Sequence, residues 1–300
     1  MNTATLKAKI ESFETEDQLL TLITTLGDSL EPFDNNWLIR RAAYYGHVKV
    51  VEMLLKDKRN DPSADGNYAI RYAAENGHIE VVRVLLKDKL VNPNAQANYA
   101  IRWAAENNHV EVVEMLLKDK RVDASALNNQ AIREAAQNGH VEVVRVLLKD
   151  KRVDPSADKN YVIRRAAESG HVEVVRALLK DTRVDPSDFD NSTIRCASEK
   201  GHVEVVKLLL KDKRVDPSAE DNWAVRVASK NGHVEVVRLL LKDDRVDPRA
   251  KDGKARKNAA KRDHDKIVAM LDEWKPSAKP EAPHIVVIPK NTKQVILNFE

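Results

Sequence analysis

The chain has 300 residues, a formal net charge of +3 from 50 basic and 47 acidic side chains, and one cysteine, Cys196. That near balance gives no general reason to expect nucleic acid or an anionic membrane as partner, and a lone cysteine excludes an internal disulfide framework and fits a reducing, cytoplasmic setting. No apolar run approaches the roughly 20 residues that a membrane-spanning helix needs, and 42% apolar with 32% charged residues suits a folded helical chain.

The opening Met1-Asn2-Thr3-Ala4-Thr5 leads into a charged amphipathic segment, so no signal peptide is expected there. Residues 1–30 are expected to cap the fold. Thr15-Glu16-Asp17-Gln18 fits a capping box. Leu19, Leu20, Leu22, Ile23 and Leu26 follow as an apolar helical face, ended by Gly27.

A repeat then takes over. His47, His78, His109, His140, His171, His202, His233 and His264 follow one another at steps of 31 residues. A fixed period of this size means a solenoid, in which each unit covers the apolar face of its neighbour. Each unit reads as two helices. In the second unit the first helix starts near the cap candidate Asn67, buries Ile70, Ala73 and Ala74, and ends at Gly77. Asn108 takes the glycine's place one unit later. The second helix turns Ile79, Val81, Val82, Leu85 and Leu86 inward, with Glu80 and Arg83 outward. Return loops such as Val153-Asp154-Pro155-Ser156 follow, and their proline is expected to stop the helix.

The pattern Ala-Ala-x-x-Gly-His-x-Glu-Val-Val-x-x-Leu-Leu closely resembles the ankyrin repeat, over roughly residues 30–273. The family's Thr-Pro-Leu-His is replaced here by Tyr-Ala-Ile-Arg or a relative, and the period is two residues short of the family's 33. The resemblance implies an all-α, ankyrin-like helix-turn-helix solenoid of about eight repeats, with protein partners and no cofactor. The missing residues fall between Leu86 and Asn98, where the family projects a β-hairpin finger, so a shorter turn is expected there. The loop Arg-Val-Asp-Pro-Ser-Ala is similar to repeats found in amoebae and in their intracellular parasites.

The eighth unit is degenerate. Arg256 takes the buried isoleucine position, among Lys254, Lys257, Lys261 and Arg262, as a polar C-terminal cap requires. Residues 31–274 are thus read as repeats. Residues 275–300 are read as a proline-containing linker and a tail that is either a β-hairpin over 285–299 or disordered.

Catalytic and metal chemistry finds little footing. Equivalent residues of stacked helices lie about 8–10 Å apart, too far to share a zinc ion, so the histidines read as a structural ladder. Every polar residue of the unit is copied, and no single constellation stands out. The column Arg40, Arg71, Arg102, Arg133, Arg164, Arg195 and Arg226 runs beside Asp61, Asp123, Asp154, Asp185, Asp216 and Asp247. Inter-repeat ion pairs or hydrogen bonds to loop carbonyls are expected there, rather than a phosphate-binding stripe.

Function is sought where the copies differ. After the arginine column stand Arg41, Tyr72, Trp103, Glu134, Arg165, Cys196 and Val227. Before the glycine stand Tyr44-Tyr45, Glu75-Asn76, Glu106-Asn107 and their equivalents. Aromatic residues make up 5% of the chain, yet they crowd these slots in the first three units, with Trp37, Tyr68 and Tyr99 alongside. Tyrosine and tryptophan dominate interface energies. Arg41, Tyr44, Tyr45, Tyr72, Glu75, Trp103, Glu106, Glu134 and Arg165 are therefore the candidate contacts of a monomeric, non-catalytic scaffold that binds a protein or peptide on its concave face. Two alternatives are a host-directed effector of an intracellular microbe and a targeting module for an enzyme in a partner chain.

Overall fold

The computed structural model describes residues 15–26 and 36–276. Gly27, the Leu26 side chain and the tail with its expected hairpin over 285–299 lie outside the described residues. Helix α1 (Glu16–Leu26) is followed by eight helix pairs. These are α2 (Trp37–Tyr45) with α3 (Val48–Lys56), α4 (Ala64–Glu75) with α5 (Ile79–Leu86), α6 (Ala95–Glu106) with α7 (Val110–Lys118), and α8 (Ala126–Gln137) with α9 (Val141–Lys149). Then come α10 (Ala157–Glu168) with α11 (Val172–Leu179), α12 (Asp188–Lys200) with α13 (Val203–Leu209), α14 (Ala219–Asn231) with α15 (Val234–Leu240), and α16 (Ala250–Ala260) with α17 (Asp265–Glu273). No strand occurs among the described residues, and the connection from Leu86 to Asn98 is a tight turn in place of a projecting finger.

Helix α1 packs on α3. Its start is closed by the Thr15 backbone N–H donating to Gln18 and the Gln18 N–H donating to the Thr15 hydroxyl. Each later pair stacks on the next through a core without exposed side chains: Ile70, Ala73 and Ala74 from α4, and Val81, Val82 and Leu85 from α5, are fully buried. The even-numbered helices approach one another more closely than the odd-numbered ones. The cause lies in the side chains at the junctions. Alanine pairs let backbones come together, whereas valine and leucine hold them apart. The even helices therefore form the more closely packed, inner side of the stack.

The local geometry at the head of each even helix departs from the sequence expectation. Asp65, Gly66 and Asn67 all have positive φ, at 55°, 61° and 63°, and right-handed helix begins only after them. Asn67 is no N-cap, because a capping residue sits in the extended region. Its side-chain Oδ1 instead accepts the backbone N–H of Asn92 in the following loop, at 2.6 Å. Asn98, Asn129, Asn160, Asn191 and Asn222 repeat this bond to Asp123, Asp154, Asp185, Asp216 and Asp247. Asparagine tolerates the left-handed region better than most residues, so one residue type serves both the turn and the tie to the next unit.

The arginine column holds the same turn. Arg71 donates from Nε to the Gly66 carbonyl and from Nη2 to the Asp65 carbonyl, each at 2.9 Å. Arg102, Arg164 and Arg226 grip their own turns in the same way. Of the two expected arrangements, hydrogen bonds to loop carbonyls are the one that recurs, while Arg40 also forms an inter-repeat ion pair with Asp65 at 2.6 Å; no ion pair of the column with the aspartate column occurs among the described residues. Asp123 accepts instead from the backbone and hydroxyl of Ser125, two residues on.

Nor does proline stop the odd helices. Helix α9 has already ended at Asp150, which is clasped by Arg152. The loop after α7 has Ala124 in place of proline and keeps the same clasp, Asp119 with Arg121, and the same asparagine tie. Arg152 also reaches back one unit, donating to the carbonyls of Val122 and Leu117. At the far end Arg256 is exposed and pairs with Asp272 of α17, its Nη2 lying 2.8 Å from Oδ2, which leaves a polar final face.

Candidate binding face

The histidines form a hydrogen-bonded ladder. Nε2 of His109 donates to the Glu75 carbonyl at 2.9 Å, and His78, His140, His171, His202, His233 and His264 reach the equivalent carbonyls of the preceding units. Each of these rings except His140, which follows Asn108, lies under the glycine that ends the previous even helix. A Cβ on Gly77, whose φ is +76°, would come within 2.5 Å of His109 Nδ1. Glycine is thus favoured twice, for its backbone and for the room it leaves, although Asn108 fills the equivalent position at a φ of 63°.

The ladder fixes the ends of the even helices and so aligns their outward positions. Arg41, Tyr44 and Tyr45 stand on α2, Tyr72 and Glu75 on α4, Trp103 and Glu106 on α6, Glu134 on α8 and Arg165 on α10. Tyr44 and Tyr45 are 38% and 50% exposed, and the other seven are half-buried. The aromatic side chains join into one row. Tyr44 meets Tyr45 edge-on at 4.9 Å between centroids and lies 6.0 Å from Tyr72. Tyr68 stacks on Tyr72 at 4.0 Å, Tyr72 lies 5.7 Å from Tyr99, and Tyr99 stacks on Trp103 at 5.3 Å.

Tyr68 and Tyr99 therefore act as packing members that prop Tyr72 and Trp103 from within their own helices. Arg71 threads the row, its guanidinium 5.3 Å from the Tyr72 ring and 5.1 Å from that of Tyr99. At the first-repeat end Arg41 lies over Tyr45 and Trp37, beside a cleft of about 410 Å³ lined by Trp37, Arg40, Arg41, Tyr44, Tyr45 and Tyr68.

Carboxylates gather at the other end. Glu75 accepts the Tyr99 hydroxyl at 2.7 Å; burial and this carboxylate push the Tyr99 phenol far above its ordinary range. Burial also pushes the Glu106 carboxyl up, and the charges of Glu134 and Glu75 push it further. Arg165 does not join this cluster. Its guanidinium is held by Glu168 at 2.6 Å and by Gln137.

Two features lay outside the sequence reading. Asn76, Asn107 and Asn138, grouped with the variable slots, donate to the carbonyls of Tyr44, Glu75 and Glu106 and are scaffold. The recurrence of asparagine at Asn76, Asn107, Asn138 and Asn231 was the available signal. Leu127 and Phe189, 53% and 45% exposed, sit at the first left-handed position of their turns. The same column holds Asp65, Gln96, Asp158 and Glu220, so its variation is visible in the sequence.

No helix among the described residues is long and apolar enough to cross a membrane. Stacked helix pairs with a uniform frame and a varied inner face define a helical repeat scaffold. A family model described as ankyrin repeats in three copies matches residues 19–97, 39–128, 103–190, 132–221, 163–252 and 197–277. The chain belongs to the ankyrin-repeat family, whose repeats are generally protein–protein interaction modules. No curated protein matches it.

Proposed function

We propose that this chain is a non-catalytic scaffold, acting as a monomer, that binds a protein or peptide on the inner face of its even helices. Residues 31–274 form the binding unit and residues 1–30 its N-terminal cap. The observation that carries this reading is the aromatic row from Tyr45 to Trp103, which crosses three repeats on one face. Large, stiff aromatic rings at adjoining positions are the side chains that anchor interfaces at low entropic cost. A rigid frame that holds them before the partner arrives adds affinity by pre-organisation. The contacts centre on repeats 1–4, since Arg165 is engaged within its own repeat and with Gln137.

The test is capture of partners by wild type and by a Tyr72→Ala/Trp103→Ala variant, with thermal unfolding of both. Loss of capture in a variant that still unfolds cooperatively supports the reading. Undiminished capture contradicts it.

A further inference from the structure

Glu106 and Glu134 flank Trp103. Glu106 lies one helical turn after it on α6, and Glu134 takes its place in the next repeat. The two carboxylates repel, and Glu75 adds to the field on Glu106. Neither Glu106 nor Glu134 has an ion pair among the described residues; Glu134 accepts only the Gln130 amide, at 3.4 Å. Arg102, which pulls the other way, gives its donors to the Ala97 and Gln96 carbonyls and to Gln130. Negative charge beside an indole face is what a guanidinium or ammonium group fits, by Coulomb attraction and cation–π contact together. At the other end of the row, Arg41 over Tyr45 disfavours a second cation.

The repeat also sets the partner's shape. Adjacent even helices are spaced by about 8–10 Å. A polyproline II segment returns to the same face every three residues, at about 3.1 Å per residue, or roughly 9 Å. Its side chains fall into step with successive repeats, and its rings and prolines match aromatic grooves. A regular α-helix advances about 10.8 Å over two turns, a poorer match to that spacing.

Resting on the concave-face reading, we propose that the row binds an extended, proline-spaced segment whose arginine or lysine residues seat at Trp103 between Glu106 and Glu134.

Isothermal titration tests this with two nine-residue proline peptides, one carrying arginine at its sixth and ninth positions and one carrying glutamate there. The arginine peptide is expected to bind at least about tenfold tighter than the glutamate peptide, with affinity that falls as salt rises. A Glu106→Gln/Glu134→Gln variant, checked for an undiminished melting temperature, is expected to lose about tenfold in affinity for the arginine peptide and most of the salt dependence. The proposal is overturned if the arginine peptide does not bind, if both peptides bind alike, or if the variant binds as well as wild type. Equal binding of both peptides that Tyr72→Ala/Trp103→Ala abolishes would leave the aromatic face standing and remove only the charge preference. Binding that survives Tyr72→Ala/Trp103→Ala would remove both.

Discussion

Single side chains carry costs that are measurable in this chain because the repeat supplies an internal control. Ser198 and Ser229 replace the second alanine of the junction pair and are fully buried. Neither hydroxyl has a hydrogen-bond partner among the described residues. A buried, unpaired hydroxyl is destabilising, and alanine is also the better helix former. Ser198→Ala and Ser229→Ala should each raise stability by about 1 kcal/mol, read as a shift of the urea midpoint at unchanged slope; a loss of stability would show that the hydroxyls are paired.

Gly139 gives the opposite case. Its φ is +81°, and an added Cβ would lie 2.6 Å from Nδ1 of His171. Gly139→Ala should cost about 2 kcal/mol or more, from left-handed strain and the displaced ring together. Gly139→Asn should cost less, because Asn108 already occupies the equivalent position at a φ of 63°. Equal costs would mean that the histidine ring, not the backbone, dominates.

The element that repeats is a helix pair shaped from within by two columns, arginine to left-handed turn and the Asp-x-Arg clasp, and tied to its neighbour by histidine to carbonyl, asparagine to loop amide and the reach of the clasp arginine to carbonyls one unit back. The helices and their buried faces were legible in the sequence, because apolar spacing alone places Ile70, Ala73 and Val81 inward. The histidine ladder was legible too, from period and spacing. The left-handed turns were not. Asn67 before a helical pattern looks like a cap, and only the fold reveals that its side chain faces the next loop. Proline in the return loop looked decisive, yet the helix before Ala124 ends at Lys118 without it.

That clasp gives a pH dependence with a definite sign. The Arg152 guanidinium holds Asp150 below the ordinary carboxylate range, as Arg121, Arg183, Arg214 and Arg245 hold their partners. A lowered folded value means stability that is present above the unfolded value of about 3.9 and is lost as pH falls through the folded one. Asp150→Asn should cost about 1 kcal/mol at pH 7, discounted for the part-exposed arginine, and nothing once the carboxyl is protonated in both states. A cost unchanged at low pH would assign the role to shape and not to charge.

Across the assembled stack, the frame and the information it carries are separate. Nearly everything that recurs in the 31-residue unit holds one unit to the next, and the inner face is where the copies differ. The candidate residues were legible as such only in part. Tyr72 and Trp103 stood out as aromatic exceptions, but their joining into one row with Tyr68 and Tyr99 depends on how the stack brings neighbouring helices together. Arg165 looked equivalent to Glu134 in the sequence and is set apart by its pairing with Glu168. Hydrogen–deuterium exchange of the chain, alone and saturated with its captured partner, tests the central claim most directly. The account predicts added protection in α2, α4, α6 and α8 around Tyr45, Tyr72, Trp103 and Glu134, with α7, α9 and α11 unchanged; protection confined to those odd helices would contradict it.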